Sequence, residues 1–583
     1  MRYKEISFKV NRDKIREDLL NVKLDIYGED VLSNLKLYKG KVNLEEIKSQ
    51  EEIFSDANFI YIEGKSDKIS FWYSLKIGGL GKHGRLGELN SDLIIFMGEQ
   101  FLMLPVELLA LGDSKDSKCK ITIDFTGFKE SFHEELRKLG ISNEHISKNK
   151  ISDLKELRFL SKISYSSLER CNTYKNLEKD NSNNLKSKIR FYNIIPFKEE
   201  DFKINLLNPI WSDLYELMKS PYTFGFFNLR KSKGDFGLKL YRENRIINNT
   251  CNENEIFENI SKLYDYYKGL FKCEEEKALT IIFLGKSKKD NKNILGGSGK
   301  NIICASFNKD NKRDWQLLSH RMFHAFMDSK LSSRTYHLPP NLWLTEGLAT
   351  YYELLALESL SEDLKEKLKI DFNREISKLY TRYIYMTLKE PNRFKIIPME
   401  EISIKSHGKL EFLHYTKAPL IIYFLESLTK DSLGKDSILN YLVLNKDKEF
   451  SMQNMFIWLL KEKCNEFARN YLFGNSILPL WNLKEYVCEE EVLKDLNEYE
   501  YILWTWFYKE EENYVKDDLE KYPLEELKIH EDILNRVIYN RELSKNVEDY
   551  SNTLSILLKI WLFKINSSNF HWVQNDIRSR VLT

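Results

Sequence analysis

Two stretches decide how this chain reads: Arg313 to Lys330, RDWQLLSHRMFHAFMDSK, and Asn341 to Leu357, NLWLTEGLATYYELLAL. In the first, Leu317, Met322, Phe323 and Phe326 predict a buried helix. His320 and His324 lie four apart, on one face of that helix, where two imidazoles can share one metal ion at about 2.0 to 2.1 Å each. The pair alone decides little. Ten histidines in 583 positions give about 0.2 such pairs by chance, and two hydrogen-bonded core histidines would look the same.

The second stretch adds what the first lacks. It reads as another buried helix, and it carries Glu346 among apolar neighbours. A carboxylate in such surroundings is destabilising unless it is paired or bound to a cation. Two histidines and one glutamate from adjacent helices make the three-ligand set of a catalytic zinc, with a fourth position left open.

HxxxH followed by WLTEGLATYYE resembles the gluzincin peptidases, specifically the aminopeptidase-N and glycyl-aminopeptidase families, whose pattern is HExxH with a third ligand glutamate in a W-x-x-E-G-x-x-x-Y segment. A further match lies at His414 to Phe424, HYTKAPLIIYF, which is similar to the Y-x-K-G helix start of those families. The turn Gly296-Gly297-Ser298-Gly299, followed by a strand at Asn301 to Phe307, occupies the place of their substrate-aligning edge strand. The doubled glycine and the long interval from His324 to Glu346 bring the chain nearer the glycyl-aminopeptidase side. The detailed match covers about residues 200 to 450. It implies His320, His324 and Glu346 as zinc ligands, Tyr415 as hydrogen-bond donor to the oxyanion, and Gly296, Gly297 and Ser298 as substrate-binding positions.

One departure is severe. Where the family has the glutamate that takes a proton from the attacking water, this chain has Arg321. A guanidinium is not deprotonated in a protein and cannot act as that base, a loss that commonly costs about 10² to 10⁴ in rate. Three outcomes follow. Zinc binds all the same, with Arg321 turned aside or paired with an acidic neighbour such as Glu353. Alternatively, zinc is absent and Arg321 forms a bidentate pair with Glu346, leaving a cleft that binds peptides without cutting them. In the third, Arg321 holds a carboxylate or developing oxyanion in other acyl or amide chemistry. His414 and His337 are the nearby histidines available as a substitute base, and each reads more simply as a surface or loop residue.

Working outward, 583 residues exceed what one core organises, and 42% hydrophobic with 30% charged residues is a globular balance. Lys+Arg 89 against Asp+Glu 88 gives no overall field that would draw nucleic acid or an anionic membrane. Runs at Phe59 to Glu63, Ile69 to Leu75, Leu93 to Met97 and Lys120 to Phe125 predict strands, and Leu177 to Lys188 reads as a polar loop. From Pro209 the pattern is helical, broken by a strand at Ala278 to Leu284. Beyond 450 nearly every segment reads as an amphipathic helix, ending in the stripe Leu554 to Leu562; the aromatic cluster Trp504, Trp506, Phe507 and Tyr508 reads as helix core.

The expected architecture is therefore multidomain: a β-rich N-terminal domain over 1–205, a thermolysin-like α+β domain over 206–450 and an all-α C-terminal domain over 451–583. The seven scattered cysteines predict reduced thiols. The opening MRYKEISFKVNRDK lacks the features of a secretory signal, and no apolar run is long enough to span a membrane, so a cytoplasmic place is expected. The function expected is that of a gluzincin aminopeptidase-like protein that takes a peptide or protein N-terminal segment in a zinc-site cleft, with hydrolysis impaired or altered by Arg321. The alternatives are an active zinc aminopeptidase using a substitute base and an enzyme repurposed for other acyl or amide chemistry.

Overall fold

The computed structural model describes residues 3–110, 119–128, 158–163, 202–243, 253–331, 341–376, 413–445 and 452–464, with short interruptions inside these ranges. Contacts divide the chain into two compact units, Met1–Arg334 with Ser359–Ser361 and Thr335–Glu358 with Glu362–Thr583.

The first unit is built on two sheets of eight strands each. One is a curled sheet whose long central strands are Leu19–Tyr38 and Phe59–Lys76, paired antiparallel from Leu19↔Lys76 to Tyr38↔Phe59, with register shifts at Tyr27/Leu32 and Ser33/Leu35. Strand Tyr3–Arg12 continues it, antiparallel to Leu19–Tyr38 and parallel to Lys120–Asp124. Residues alternate across a strand, so Ile6, Phe8 and Val10 face inward with Leu20, Val22, Leu24, Phe71 and Tyr73, and all are buried. The predicted strands at Phe59, Ile69, Leu93 and Lys120 are all present.

The second sheet runs Gly297–Gly299, Ile302–Ser306, Leu279–Leu284, Leu238–Glu243, Pro221–Ser232, Leu93–Met97 and Glu88–Leu89. Leu238–Glu243, Leu279–Leu284 and Ile302–Ser306 are parallel. All six residues of Leu279–Leu284 are buried, as expected of a strand covered on both faces. Gly297–Gly299 turns back antiparallel to Ile302–Ser306 and forms the edge. Rings of Phe96, Phe101, Phe125, Phe128, Tyr222 and Phe224 pack in one cluster, with Phe96 stacked on Tyr222 at 5.8 Å. Because Phe96 lies on the second sheet and Phe125 just past the end of a strand of the first, this cluster joins the two sheets.

Helix Lys312–Lys330 follows the parallel strands and starts at Asn311, whose side chain accepts from the Arg313 amide at 3.0 Å. It packs on helix Glu253–Leu270 through Phe323 and Phe326 against Tyr264, Tyr267 and Phe271. Leu318 is buried on that face and Leu317 is only half-buried, because the buried stripe runs 315, 318, 319, 322, 323 and 326.

In the second unit, helix Leu342–Leu357 is apolar almost all round and correspondingly buried. It packs against helix Ala418–Leu433. Helices Ser437–Leu444 and Met452–Lys461 follow, so the C-terminal part is helical as far as it is described. Leu177 to Lys188, the aromatic cluster at Trp504 and the stripe at Leu554 lie outside the described residues. Among the described residues no helix is long and apolar enough to cross a membrane.

Candidate metal centre

The helix of the first unit presents its two histidines to one another. Nε2 of His324 lies 3.1 Å from Nε2 of His320, the rings are inclined at 68°, and both side chains are half-buried. Two nitrogens bound at about 2.05 Å to one tetrahedral zinc would stand about 3.3 Å apart, so the pair is set at close to the spacing that shared ligation needs. His320 and His324 thus offer two imidazole donors from one face of helix Lys312–Lys330. Two imidazoles and a carboxylate are the donor set that borderline-soft zinc takes in open, three-ligand sites.

Arg321 sits between these histidines in sequence and is half-buried. Burial draws its pKa down to about 10, which leaves it charged at neutral pH. Its guanidinium donates from Nη2 to the Leu295 carbonyl at 2.7 Å and from Nη1 to the Cys304 carbonyl at 3.1 Å. These two main-chain oxygens, and not the Glu353 or Glu346 carboxylates weighed from the sequence, are what satisfy it. The physical reason is the turn beneath it. Gly296 takes φ +56°, and Gly297 is paired with Cys304 across the edge, which brings both carbonyls within reach of one planar fork.

Gly297 to Gly299 is thus a short edge strand entered from Gly296, and the chain reverses at Lys300 and Asn301. Ser298 on that strand is half-buried. Its approach is fixed from the other side by Arg85, whose amide donates to the Asn293 carbonyl and whose carbonyl accepts from the Leu295 amide, both at 2.8 Å. Arg85 also donates to the Asp290 carboxylate at 3.0 Å. Sequence reading missed this latch, since hydrogen bonds to main-chain atoms leave no mark in residue types.

In the second unit Glu346 lies half-buried on helix Leu342–Leu357. The next residue, Gly347, abuts Ala418 at the start of helix Ala418–Leu433. Tyr415 lies in the short π-helical turn Leu413–Lys417 that leads into that helix, and its side chain is 39% exposed. His414 beside it is buried, at 5%, so the expectation of a surface histidine does not hold; the π-turn carries it inward while Tyr415 faces out. Lys417 is fully buried and its amine is pushed down to about 7 by desolvation. His337 lies outside the described residues.

No family model matches the sequence, and no curated protein matches it. Solved structures do match. An aminopeptidase N family protein from Idiomarina loihiensis aligns with a TM-score of 0.51 at 12% identity, over 82% of this chain and 77% of that one. An M1 zinc metallopeptidase from Deinococcus radiodurans aligns at 0.43 and 11%, over 82% and 94%. What the first of them shows is a shared fold, in which the β-rich N-terminal region and the helical C-terminal part both find counterparts.

Proposed function

We propose that this chain is a gluzincin aminopeptidase-like protein that holds zinc through His320, His324 and Glu346 and binds the N-terminal segment of a peptide along the edge strand Gly297–Gly299, with hydrolysis impaired because Arg321 stands in place of the base. The observation that carries the reading is the 3.1 Å approach of the two histidine Nε2 atoms on one helix face. The shared fold supports it, as does the glycine-led edge strand that runs beside the histidine helix.

In this reading residues 206–450 act as a thermolysin-like domain, and the protein works in the cytoplasm on peptides, not on nucleic acid or membrane. Zinc held at the site would act as a Lewis acid on a peptide carbonyl. The chain's own residues divide the remaining work. Main-chain groups of Gly297 to Gly299 pair with an extended peptide by adding it as a strand. Tyr415, exposed at the start of its helix, donates to the oxyanion. Arg321, committed to two carbonyls, neither accepts a proton nor reaches for substrate.

The test pairs binding with turnover. Fluorescent peptides with a free or acetylated N-terminus, and a panel of aminoacyl reporter substrates, are offered to zinc-loaded protein. Micromolar binding of the free peptide, with turnover about 10² to 10⁴ below that of a site bearing the glutamate, is expected. Fast, chelator-sensitive turnover would make it an ordinary aminopeptidase, and no binding of any peptide would remove the proposal altogether.

A further inference from the structure

Arg321 deserves a role of its own, beyond marking a missing base. We propose that it is a positioning residue: its guanidinium straps the two arms of the Leu295–Cys304 turn together and so sets the edge strand on which a peptide would lie. The proposal rests on the peptide-binding reading above.

The geometry is specific to this residue type. The Leu295 carbonyl precedes the turn, and the Cys304 carbonyl belongs to the strand that returns antiparallel to it. One planar fork with several N–H donors can serve both oxygens at once. A glutamate at 321 would put carboxylate oxygens against two carbonyl oxygens and repel them. A lysine would offer one point charge and reach one arm well. Gly296 lets the two arms lie this close, since a Cβ there would stand 2.1 Å from the Cys304 oxygen.

The strap also completes a set. The Leu295 amide is already held by the Arg85 carbonyl, the Ile294 carbonyl accepts from the Ser306 amide at 2.8 Å, and the Ile294 amide donates to Ser306 Oγ at 2.8 Å. Arg321 takes the Leu295 carbonyl, so both polar groups of the residue that leads into the strand are fixed. Edge strands expose unpaired donors and acceptors, and a short, glycine-rich one has little side-chain packing to hold its register. Here the register is held by side chains gripping the main chain. The exchange of glutamate for arginine therefore trades a proton acceptor for a fixed binding edge.

The experiment compares wild type with R321M, R321K and R321E, in zinc-loaded full-length protein. It measures amide hydrogen exchange over residues 296–305, peptide affinity and melting temperature. R321M is expected to speed exchange at these amides by about tenfold and to weaken the peptide by a similar factor, R321K to recover part of both, and R321E to match or exceed R321M. A residue serving stability alone would lower the melting temperature in all three and leave peptide affinity unchanged at temperatures where the protein stays folded. Unchanged exchange in R321M and R321E would overturn the strap. Altered exchange in a protein whose wild type binds no peptide would instead leave the strap standing and remove the peptide reading.

Discussion

Gly347 and Ala418 stand in direct contact: a Cβ built on Gly347 would fall 2.7 Å from the Ala418 Cβ and 3.1 Å from its carbonyl carbon. The bare backbone at 347 is what lets helix Leu342–Leu357 approach the first turn of helix Ala418–Leu433, where Pro419 needs no amide partner. Gly347 directly follows Glu346 of the proposed site, and Ala418 follows the turn Leu413–Lys417 that carries Tyr415.

Gly347→Ala should therefore destabilise the protein, in spite of alanine's better helix propensity, by about 1 to 3 kcal/mol of overpacking. Urea unfolding of the two proteins measures it. A change within about 0.5 kcal/mol would mean that the helices separate at little cost.

Gly296→Ala meets a different obstacle. Its backbone lies at φ +56°, and the new methyl would collide with the Cys304 oxygen at 2.1 Å. Strain of this kind costs on the order of 1 to 3 kcal/mol, and because the collision is with an oxygen that Arg321 holds, hydrogen exchange at Ile302 to Ser306 should accelerate as well. Unfolding and exchange at wild-type values would show that the turn has another conformation open to it.

Lys277 gives the pH dependence a sign. Its amine donates to the Lys300 carbonyl at 2.8 Å and to Asn301 Oδ1 at 3.2 Å, yet burial, with Lys300 nearby, pulls it from 10.5 down to about 8. Below pH 8 the folded protein carries the whole cost of the buried charge. Between pH 8 and 10.5 the unfolded chain binds more protons than the folded one, so stability rises with pH across that window. With the side chain only half-buried, the gain is on the order of 1 to 3 kcal/mol. Unfolding free energies of wild type and K277M, measured from pH 7 to 10.5, should converge or cross as the wild type gains; parallel curves would contradict the assignment.

Tyr415→Phe separates binding from chemistry. The Tyr415 hydroxyl is proposed to meet the developing oxyanion, so its loss should cut residual turnover by about 10² while zinc content and peptide affinity stay as they were. Loss of zinc or of peptide in Y415F would give the hydroxyl a structural role instead.

How much of this was legible in the sequence depends on where each interaction is made. The four-residue spacing of His320 and His324 carries its geometry with it, because helical periodicity alone places the two rings on one face. The strands at Leu93, Lys120, Leu279 and Ile302 were legible from β-branched and apolar runs. Arg321 was legible as an exception to a motif but not as a strap, since its partners are carbonyls that every residue possesses. The burial of His414 beside the exposed Tyr415 was hidden for another reason. A π-turn changes the angle between successive side chains, and no residue type announces one.

His320, His324 and Glu346 are proposed to hold zinc with Arg321 next to the first histidine. Zinc titration of metal-stripped protein, followed by calorimetry and confirmed by elemental analysis, tests it without reference to activity. The account predicts one zinc per chain in wild type, with His320→Ala, His324→Ala and Glu346→Gln each weakening binding by more than the about 10- to 100-fold that loss of an outer-shell contact costs. A wild type that takes up no zinc, or three variants that bind it as tightly as wild type, would contradict it.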